Sequence, residues 1–248
     1  EHGLKIRQAA DAAGQTPQAF CDTIAPKFAD AWTRLNITNN DFIRTTEPRH
    51  YAAVKELLQR CYDAGDIELD TYSGKYCVAC EEYFTDEELL EDGRCPIHKR
   101  PVDHFEEENY FFRLSRFQDR LLKWYDEHPG VIKPEFRGNE ALGLIRGGLR
   151  DFSVSRTSLD WGIPLPWDER HVAYVWFDAL TNYLSATGFG DPSVDYTDRW
   201  PVDYHLIGKD IIRHHCVYWP AMLMSAGVEL PKGWAVGGWL LVDGEKMA

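Results

Sequence analysis

Four residues with metal-binding side chains stand in two closely spaced pairs. Cys77 and Cys80 form the first pair, Cys95 and His98 form the second, and fourteen residues separate the two pairs. Each pair can form a tight turn that presents two soft ligands to one ion, and three thiolates with one imidazole suit tetrahedral zinc. Because four protein ligands leave no open position for water, the spacing predicts one structural zinc ion per chain.

The charge balance and the hydropathy of the chain exclude two classes of protein. The chain has 27 Lys and Arg against 40 Asp and Glu, a net charge of −13, whereas a general nucleic-acid coat needs clustered basic residues. No apolar run approaches the ~20 residues of a membrane span, so we expect no membrane partner. The first residues form no signal peptide, and we expect both ends of the chain to be truncated.

The cysteines also indicate the compartment. Cys21 and Cys61 fall on the apolar faces of predicted helices, where we expect them to be inert core thiols. Cysteines at metal-ligand spacing, without a disulfide framework, favour a reducing environment. We therefore expect a cytoplasmic protein.

The chain before residue 66 alternates between predicted helices, loops and a short strand, which indicates α/β layers. Capping residues and apolar periodicity predict helices over Leu4–Ala13, Thr16–Leu35 and Pro48–Ala64. The apolar run Phe42–Thr45 predicts a buried strand between the second and third helices.

Residues 66–160 have the pattern of an inserted module around the two ligand pairs. The predicted elements are a strand over Ile67–Tyr72, an amphipathic helix over Tyr110–His128, a helix over Pro134–Ile145 and a strand over Asp151–Ser155. The acidic stretch Glu106–Glu108 either caps the helix predicted at Tyr110 or belongs to a solvated loop.

The segment Val172–Ser185 is predicted to form a strand, a turn and a helix. Val172–Phe177 is an apolar, β-branched and aromatic run typical of a buried strand, and Asp178 is placed to cap a helix. Trp176 and Tyr183 then lie near the turn, where α/β sheets bind their ligands. The residues alone leave open that these two aromatic side chains only fill a core.

A second strand and turn follow near residue 208. The predicted elements are a strand over Tyr204–Gly208, a helix over Ile211–Leu223 and a last strand over Gly237–Val242. Gly208 lets the backbone approach a ligand closely, and Asp210 can accept a hydrogen bond from a ribose hydroxyl. His215 stands one helical turn after Ile211, so we expect both side chains to face the same way.

Six stretches of the chain, in order, resemble the class I methionyl-tRNA synthetase family of the single-zinc-knuckle type. They are CVAC…CPIH, EEENYFFRLS, SVSRTSLDWGIPLP, YVWFDALTNYL, HLIGKDIIRHHCVYWPAML and GGWLLVDGEKM. The resemblance covers nearly the whole chain. It implies an α/β, Rossmann-like catalytic domain whose first part is 1–65 and whose second part is 161–248, interrupted by a zinc-binding α+β connective peptide over 66–160.

The resemblance also implies roles for individual residues. Those implied to bind methionine are Trp176, Ala179, Leu180, Tyr183, Ile211 and His215. Those implied to bind ATP are Gly208, Lys209, Asp210, Gly237, Gly238 and Trp239. Two are implied to be catalytic: Lys246 opens the loop that stabilises the departing pyrophosphate, and Arg156 orients an acidic residue that would precede Glu1. Leu180 stands where some members of the family have proline.

The activity that the resemblance implies has two steps. Methionine is activated with ATP, accompanied by Mg²⁺, to methionyl-adenylate, and the methionyl group is then transferred to tRNA(Met). An aromatic pocket suits the substrate because rings hold a thioether sulfur favourably, by ~0.3–1.5 kcal/mol. The second lysine of the loop at Lys246 is missing, as are the histidines of the family's other signature, so we expect this chain alone to be inactive. A monomer is favoured.

Two alternatives remain open from the sequence. A class I synthetase for leucine, isoleucine or cysteine would share the sheet and the ATP turn, although the aromatic pocket and His215 favour methionine. A non-catalytic zinc ribbon that binds nucleic acid or protein would need a basic face around the ligand pairs. The sequence there is net acidic, which disfavours that alternative.

Overall fold

Seven α-helices and eleven β-strands occur among the residues that the computed structural model describes, which are 1–78, 82–84, 86–97, 99–243 and 245–246. For 72–74, 82–83, 105–107 and 245–246 the description covers the backbone only. The helices are α1 Leu4–Ala12, α2 Pro17–Arg34, α3 Pro48–Asp63, α4 Gln118–Glu127, α5 Glu135–Arg146, α6 Val175–Ser185 and α7 Trp219–Ser225. The strands are β1 Ile67–Cys77, β2 Glu82–Phe84, β3 Asp103–Phe112, β4 Ile132–Lys133, β5 Phe152–Ser153, β6 Ser155–Arg156, β7 Val172–Ala173, β8 His205–Gly208, β9 Trp234–Gly237, β10 Leu241–Val242 and β11 Glu245–Lys246.

A three-stranded parallel sheet, in the order β4-β9-β8, carries the second half of the chain. Helix α7 lies in the connection between β8 and β9, as parallel neighbours require a crossover. The register places Gly208 opposite Gly237 at the carboxyl ends of the two strands. Trp219 and Trp234 are fully buried in the core of this region. Strand β4 lies inside the predicted insert and yet pairs with β9, and the insert's boundaries stay a prediction.

The four-stranded antiparallel sheet, in the order β2-β1-β3-β5, is built on a long pair of strands. Strands β1 and β3 are paired from Ile67 opposite Phe112 to Tyr76 opposite Asp103. The first strand predicted in this region is therefore confirmed, although it runs on to Cys77.

Helices α1, α2 and α3 confirm the three helices predicted before residue 66. The hydroxyl of Thr16 caps α2 by accepting from the backbone N–H of Ala19 at 3.2 Å. Helix α3 buries an apolar face against α6. The apolar side chains of α2 behave differently, because Phe28 and Leu35 are exposed and the residues of this helix that are buried are Cys21 and Ala25.

Two predicted elements in the first half were wrong. Phe42–Thr45 forms no strand, because side chains take its backbone donors: the N–H of Phe42 donates to Asp41 and that of Arg44 to Glu47. The helix predicted over Tyr110–His128 is strand β3 up to Phe112 and becomes α-helical only at Gln118. The acidic stretch before it therefore lies in a strand and caps no helix.

Three predictions in the second half also need correction. The strand predicted over Val172–Phe177 ends at Ala173, and α6 begins at Val175 with Tyr174 as its N-cap. Asp178 lies one turn inside α6, so it is not the cap. The last strand was predicted to start at Gly237, whereas β9 starts three residues earlier, at Trp234, and ends at Gly237.

The helix predicted over Ile211–Leu223 is more varied than its periodicity suggests. Lys209–Ile211 is a 3₁₀ turn, Ile212 and Arg213 are α-helical, His214–Tyr218 is a π-helical turn, and Trp219–Ser225 is α-helical again. Single π-helical turns are found frequently at functional sites. Among the described residues, no helix is both long and apolar enough to cross a membrane.

Candidate active site

One face of α6 brings together the predicted pocket residues that this helix carries. Successive helical residues are rotated by about 100°, so these side chains fall within roughly a third of the circumference. They are Trp176, Ala179, Leu180 and Tyr183. The segment that follows Gly208 packs against this face through ring contacts, which join Trp176 to His214 and Tyr183 to His215. Leu180 is fully buried in the main core, whereas Ala179 is half-buried.

A hydrogen-bonded chain links Tyr183, His215 and Ile211. The carbonyl of Ile211 can only accept, so Nδ1 of His215 donates to it at 3.0 Å. A neutral imidazole then has Nε2 as its acceptor, and the Tyr183 hydroxyl donates to that atom at 2.7 Å. The sequence predicted that Ile211 and His215 face the same way, and this bond places them one turn apart.

Burial keeps the side chains of this hydrogen-bonded series uncharged. Desolvation lowers the pKa of His215 to about 4 and raises the pKa of Tyr183 to about 12. Desolvation also lowers the pKa of the neighbouring His205 to about 3, with a further contribution from His215. The Nε2 atom of His205 accepts from the indole N–H of Trp219 at 3.2 Å. The surface beside α6 is therefore aromatic, neutral and polarisable near pH 7.

His214 is a residue of this site that the sequence analysis did not assign. Its ring stacks on Trp176 with 3.6 Å between centroids and 15° between planes. It is buried, and neither ring nitrogen has a hydrogen-bond partner among the described residues. Burial lowers the pKa of His214 well below its ordinary value, so the ring is neutral. The sequence signal that could have assigned His214 to the site was its position directly before His215 in the predicted helix.

The predicted ATP residues meet around the ends of β8 and β9. Asp210 accepts from the indole N–H of Trp239 at 2.5 Å, and Nζ of Lys209 lies 3.5 Å from the centroid of the same indole. A Cβ atom added to Gly208 or Gly238 would meet nothing within 4 Å, and neither residue has a positive φ. The protein's own packing and backbone therefore do not require glycine there, and the surface above these turns is open to a ligand.

Gly237 has almost as much free space around its Cα atom as Gly208 and Gly238. An added Cβ would come no closer than 3.8 Å to the carbonyl oxygen of Ile207, which is ordinary van der Waals contact. The turn at Gly208 continues along the chain into Ile211 and His215, and His215 contacts Tyr183 on the aromatic face of α6.

Arg156 is a buried cation in β6. Its Nη1 donates to the hydroxyl of Ser153 at 2.7 Å and to the carbonyl of Ser155 at 2.9 Å. The guanidinium lies over the ring of Tyr174, 4.2 Å from its centroid, directly before α6 begins. These contacts hold Arg156 at the start of the helix that carries the predicted methionine pocket.

Half of the predicted zinc site falls among the described residues. Cys77 and Cys95 are both buried and share a small cluster with Phe84. Cys80 and His98 lie outside the described residues. A set of three or more metal-ligating side chains does not occur within the described part of the chain.

The other predicted catalytic residue, Lys246, is described only through its backbone. It lies in β11, opposite Leu241 of β10. The position of its side chain is outside the description.

A buried carboxylate lies on the opposite face of α6 from the aromatic pocket residues. The two carboxylate oxygens of Asp178 lie 2.6 Å from Nε2 of His50 and 2.5 Å from Nδ1 of His2. Burial alone would raise the pKa of Asp178, but the bonds from both histidines outweigh it and the pKa is lowered. The sequence analysis missed this cluster, although the position of His50 on the apolar face of α3 indicated a buried histidine.

A family model described as tRNA synthetases class I (M) matches residues 1–248. The chain belongs to this family. A methionine–tRNA ligase of Thermotoga maritima is 49% identical over 251 residues, which cover 100% of this chain and 40% of the relative. One from Streptomyces coelicolor is 48% identical over 257 residues, covering 100% of this chain and 48% of the relative.

Solved structures of class I (M) synthetases have the same fold. Mycobacterium tuberculosis methionyl-tRNA synthetase bound by methionyl-adenylate matches with a TM-score of 0.93 and 49% identity, over 97% of this chain and 48% of that one. The apo form matches with a TM-score of 0.82 and 48% identity, over 89% of this chain and 46% of that one. The mixed α/β catalytic fold of the family is therefore confirmed. The chain spans about half the length, or less, of the relatives that it matches.

Proposed function

We propose that the protein activates methionine with ATP and transfers the methionyl group to tRNA(Met). The observation that carries this proposal is that one short segment links two features: the glycine-lined turn at Gly208 and, through His215, the neutral aromatic face with Trp176 and Tyr183. A nucleotide on the first surface and an apolar amino-acid side chain on the second would meet between them. The named relatives and the methionyl-adenylate complex of the solved structure support this substrate pair.

The first step forms one bond and breaks another. A carboxylate oxygen of methionine attacks the α-phosphorus of ATP, and the bond to the bridging oxygen breaks as pyrophosphate leaves with the electron pair. We assign Asp210 to the ribose, Gly237, Gly238 and Trp239 to the adenine side, and Lys209 and Lys246 to phosphate charge. Mg²⁺ bound with ATP would neutralise further phosphate charge. In the second step a hydroxyl of the terminal adenosine of tRNA takes the acyl group, and AMP leaves.

The pocket recognises methionine by shape and polarisability. The one proton of the Tyr183 hydroxyl is used towards His215, and that of His215 is used towards Ile211. The thioether sulfur would therefore meet ring faces and the hydroxyl oxygen, contacts that favour a soft, weakly polar atom. Ala179 and Leu180 would complete the apolar wall.

We assign Arg156 to orienting the acidic residue that receives the substrate's amino group. A guanidinium presents several donors in a fixed plane, so it can hold a carboxylate while other contacts fix its own position. The bonds from Arg156 to Ser153 and Ser155 supply that fixation in this structure.

We also propose that Cys77, Cys80, Cys95 and His98 bind one structural zinc ion in a connective peptide over 66–160. The donor set fits the ion, because two of the thiols are buried together in a cluster of only three buried residues. Zinc bound there would fix two turns of the chain to each other. The flanking parts, 1–65 and 161–248, would form the catalytic domain.

The proposal is tested by amino-acid-dependent exchange of pyrophosphate into ATP, using the protein expressed from its full gene. Exchange that depends on methionine supports the function. Exchange stimulated instead by leucine, isoleucine or cysteine would reject the choice of amino acid, and no exchange with any of them would reject the activity.

Variants separate the two surfaces. Trp176→Ala and His215→Ala are expected to raise the KM for methionine at least tenfold and to change the KM for ATP by less than about threefold. The matched control is Trp124→Ala, because the ring contacts of that indole among the described residues are with Tyr125, His128 and Trp234 and not with the predicted pocket residues. Equal losses for both substrates, or a comparable loss in the control, would contradict the pocket assignment.

A further inference from the structure

We propose that His50 and Asp178 form a clamp that fixes the rotation and height of α6, and that this clamp positions the methionine pocket on the other side of the helix. The proposal rests on the function proposed above. It makes His50 and Asp178 positioning residues, because neither belongs to the face of α6 that carries the pocket.

The clamp touches α6 at two points. His50 of α3 contacts Asp178 through Nε2 at 2.6 Å and Ser185 through Nδ1 at 2.8 Å. Asp178 and Ser185 are seven residues apart, which is about two helical turns, so they lie on the same face. A single bond would let the helix pivot, whereas two bonds from one rigid ring fix both its rotation and its axial position.

The hydrogen-bond donors in the clamp can be assigned. The Ser185 hydroxyl donates to the carbonyl of Thr181 at 2.9 Å, so its oxygen accepts from Nδ1 of His50. Asp178 is ionised and accepts from Nε2 of His50. His50 therefore joins the carboxylate of Asp178 to the hydroxyl of Ser185 through its two ring nitrogens.

The same carboxylate ties a third segment to the helix. Nδ1 of His2 donates to the other oxygen of Asp178 at 2.5 Å, and the ring of His2 packs edge-on against Trp161 at 5.2 Å between centroids. The indole N–H of Trp161 in turn donates to the carbonyl of Glu1 at 2.8 Å. The segment of Glu1 and His2 is thus held to α6 through Asp178.

The clamp and the pocket lie on opposite faces of α6, so a change at the clamp alters the orientation of the pocket residues. Residues 176, 179, 180 and 183 fall in one arc of about 100°, and residues 178 and 185 lie about 150° and about 170° from its centre. A rotation of α6 by one half of a residue step, about 50°, would move Trp176 off His214 and Tyr183 off His215. A misplacement of 1 Å in a binding site can cost up to a hundredfold in rate.

The test compares KM values for methionine and ATP in the exchange assay with the full-length protein. His50→Ala is expected to raise the KM for methionine about tenfold and to leave the KM for ATP within about twofold. Ser185→Ala removes only the second contact point and is expected to raise the KM for methionine about threefold, so the test survives if His50→Ala fails to fold.

Two controls separate positioning from loss of stability. Thr181→Val removes a hydroxyl from the same helix that donates only to the carbonyl of Phe177 and takes no part in the clamp. Leu57→Ala makes a cavity on the buried face of α3 about two helical turns from His50, without removing either contact of the clamp. Both are expected to leave the KM for methionine within about twofold of wild type at a temperature where each is folded.

The outcomes distinguish the two proposals. If the wild type shows no methionine-dependent exchange, the proposed function fails and the clamp has nothing to position. If the wild type is active and His50→Ala and Ser185→Ala leave the KM for methionine unchanged, or raise both KM values equally, the clamp is only structural. An increase with Leu57→Ala as large as that with His50→Ala would likewise overturn the inference.

Discussion

The two ends of strand β1 lie in different surroundings. At its first residue, Ile67 is buried in the main core, opposite Phe112 of β3. At its last residue, Cys77 belongs to a separate cluster whose other buried members are Phe84 and Cys95. The strand has 11 residues, a length of about 36 Å at the usual rise.

The two ends of β1 therefore differ in how much apolar burial the described residues give them. Ile67 and Phe112 share their burial with the large side chains of two layers, and apolar burial contributes about 25 cal/mol per Å². Among the described residues this cluster has three buried members, and so small a cluster contributes little against the conformational entropy of ordering the chain around it. The zinc ion that we propose for the two ligand pairs would add a cross-link at this end.

Removing the metal is expected to have the largest effect on this comparison. Cys77→Ser should abolish stoichiometric zinc binding and unfold the distal end, because structural zinc in small modules contributes about 10–16 kcal/mol of apparent binding energy. Hydrogen exchange followed by mass spectrometry should show lost protection around Cys77 and retained protection in α3 and α6.

The matched control is another buried cysteine. Cys61→Ser lies in the main core, where burial raises the pKa of the native thiol to about 12. It should lower stability modestly and leave the zinc content at one per chain, measured by elemental analysis. Equal zinc in the Cys77→Ser variant and the wild type would contradict the site.

The opposite result is expected at the proximal end. Phe112→Ala removes a fully buried ring that packs on Phe117 at 5.2 Å and on Phe152 at 5.5 Å between centroids. The free energy of unfolding should fall by about 3–5 kcal/mol, as for other buried aromatic truncations. Urea unfolding measures the loss, and zinc content should remain at the wild-type level. Loss of zinc together with stability would show that the two ends fold as one unit.

Acid should destabilise the core through its histidines. Burial lowers the pKa of His205 to about 3 and of His215 to about 4, so below pH 6.5 the unfolded chain binds protons that the folded chain does not. The contribution of these two neutral histidines to the free energy of unfolding should therefore be complete above pH 6.5, and it should decrease as the pH drops towards 4. Urea titrations at pH 7, 6 and 5 measure this slope, and His205→Gln should reduce it. An unchanged slope in that variant would contradict the assignment.

The comparison also explains what the sequence could predict. Ligand spacing is local information, so the pairs at Cys77 and Cys95 were visible without a fold. The face of α6 was predictable for the same reason, since helical spacing alone places Trp176 and Tyr183 together. The caps at Thr16 and the glycine turn at Gly208 are likewise local features.

The errors arose where neighbours in space decide the structure. The apolar residues Phe111, Leu114 and Phe117 keep a helical period. Phe111 nevertheless lies in strand β3, where it is paired with one residue of β1 and one of β5. The spacing of apolar residues cannot show where a strand ends and a helix begins when both bury apolar side chains in the same core. Asp178 was misassigned because its partners, His2 and His50, come from distant parts of the chain.

The smallest predicted effect concerns the contact between the two layers. Phe152 of β5 stacks on Tyr218 of the π-helical turn with 4.3 Å between centroids and 4° between planes. A double-mutant cycle with Phe152→Leu and Tyr218→Leu should give a coupling energy of about 0.5–1.5 kcal/mol, because each leucine keeps apolar volume and removes the ring contact. A coupling below about 0.3 kcal/mol would mean that the layers are joined by burial alone. In that case the proximal end of the hairpin would be held by non-directional packing, and the contrast with a metal-fixed distal end would be sharper still.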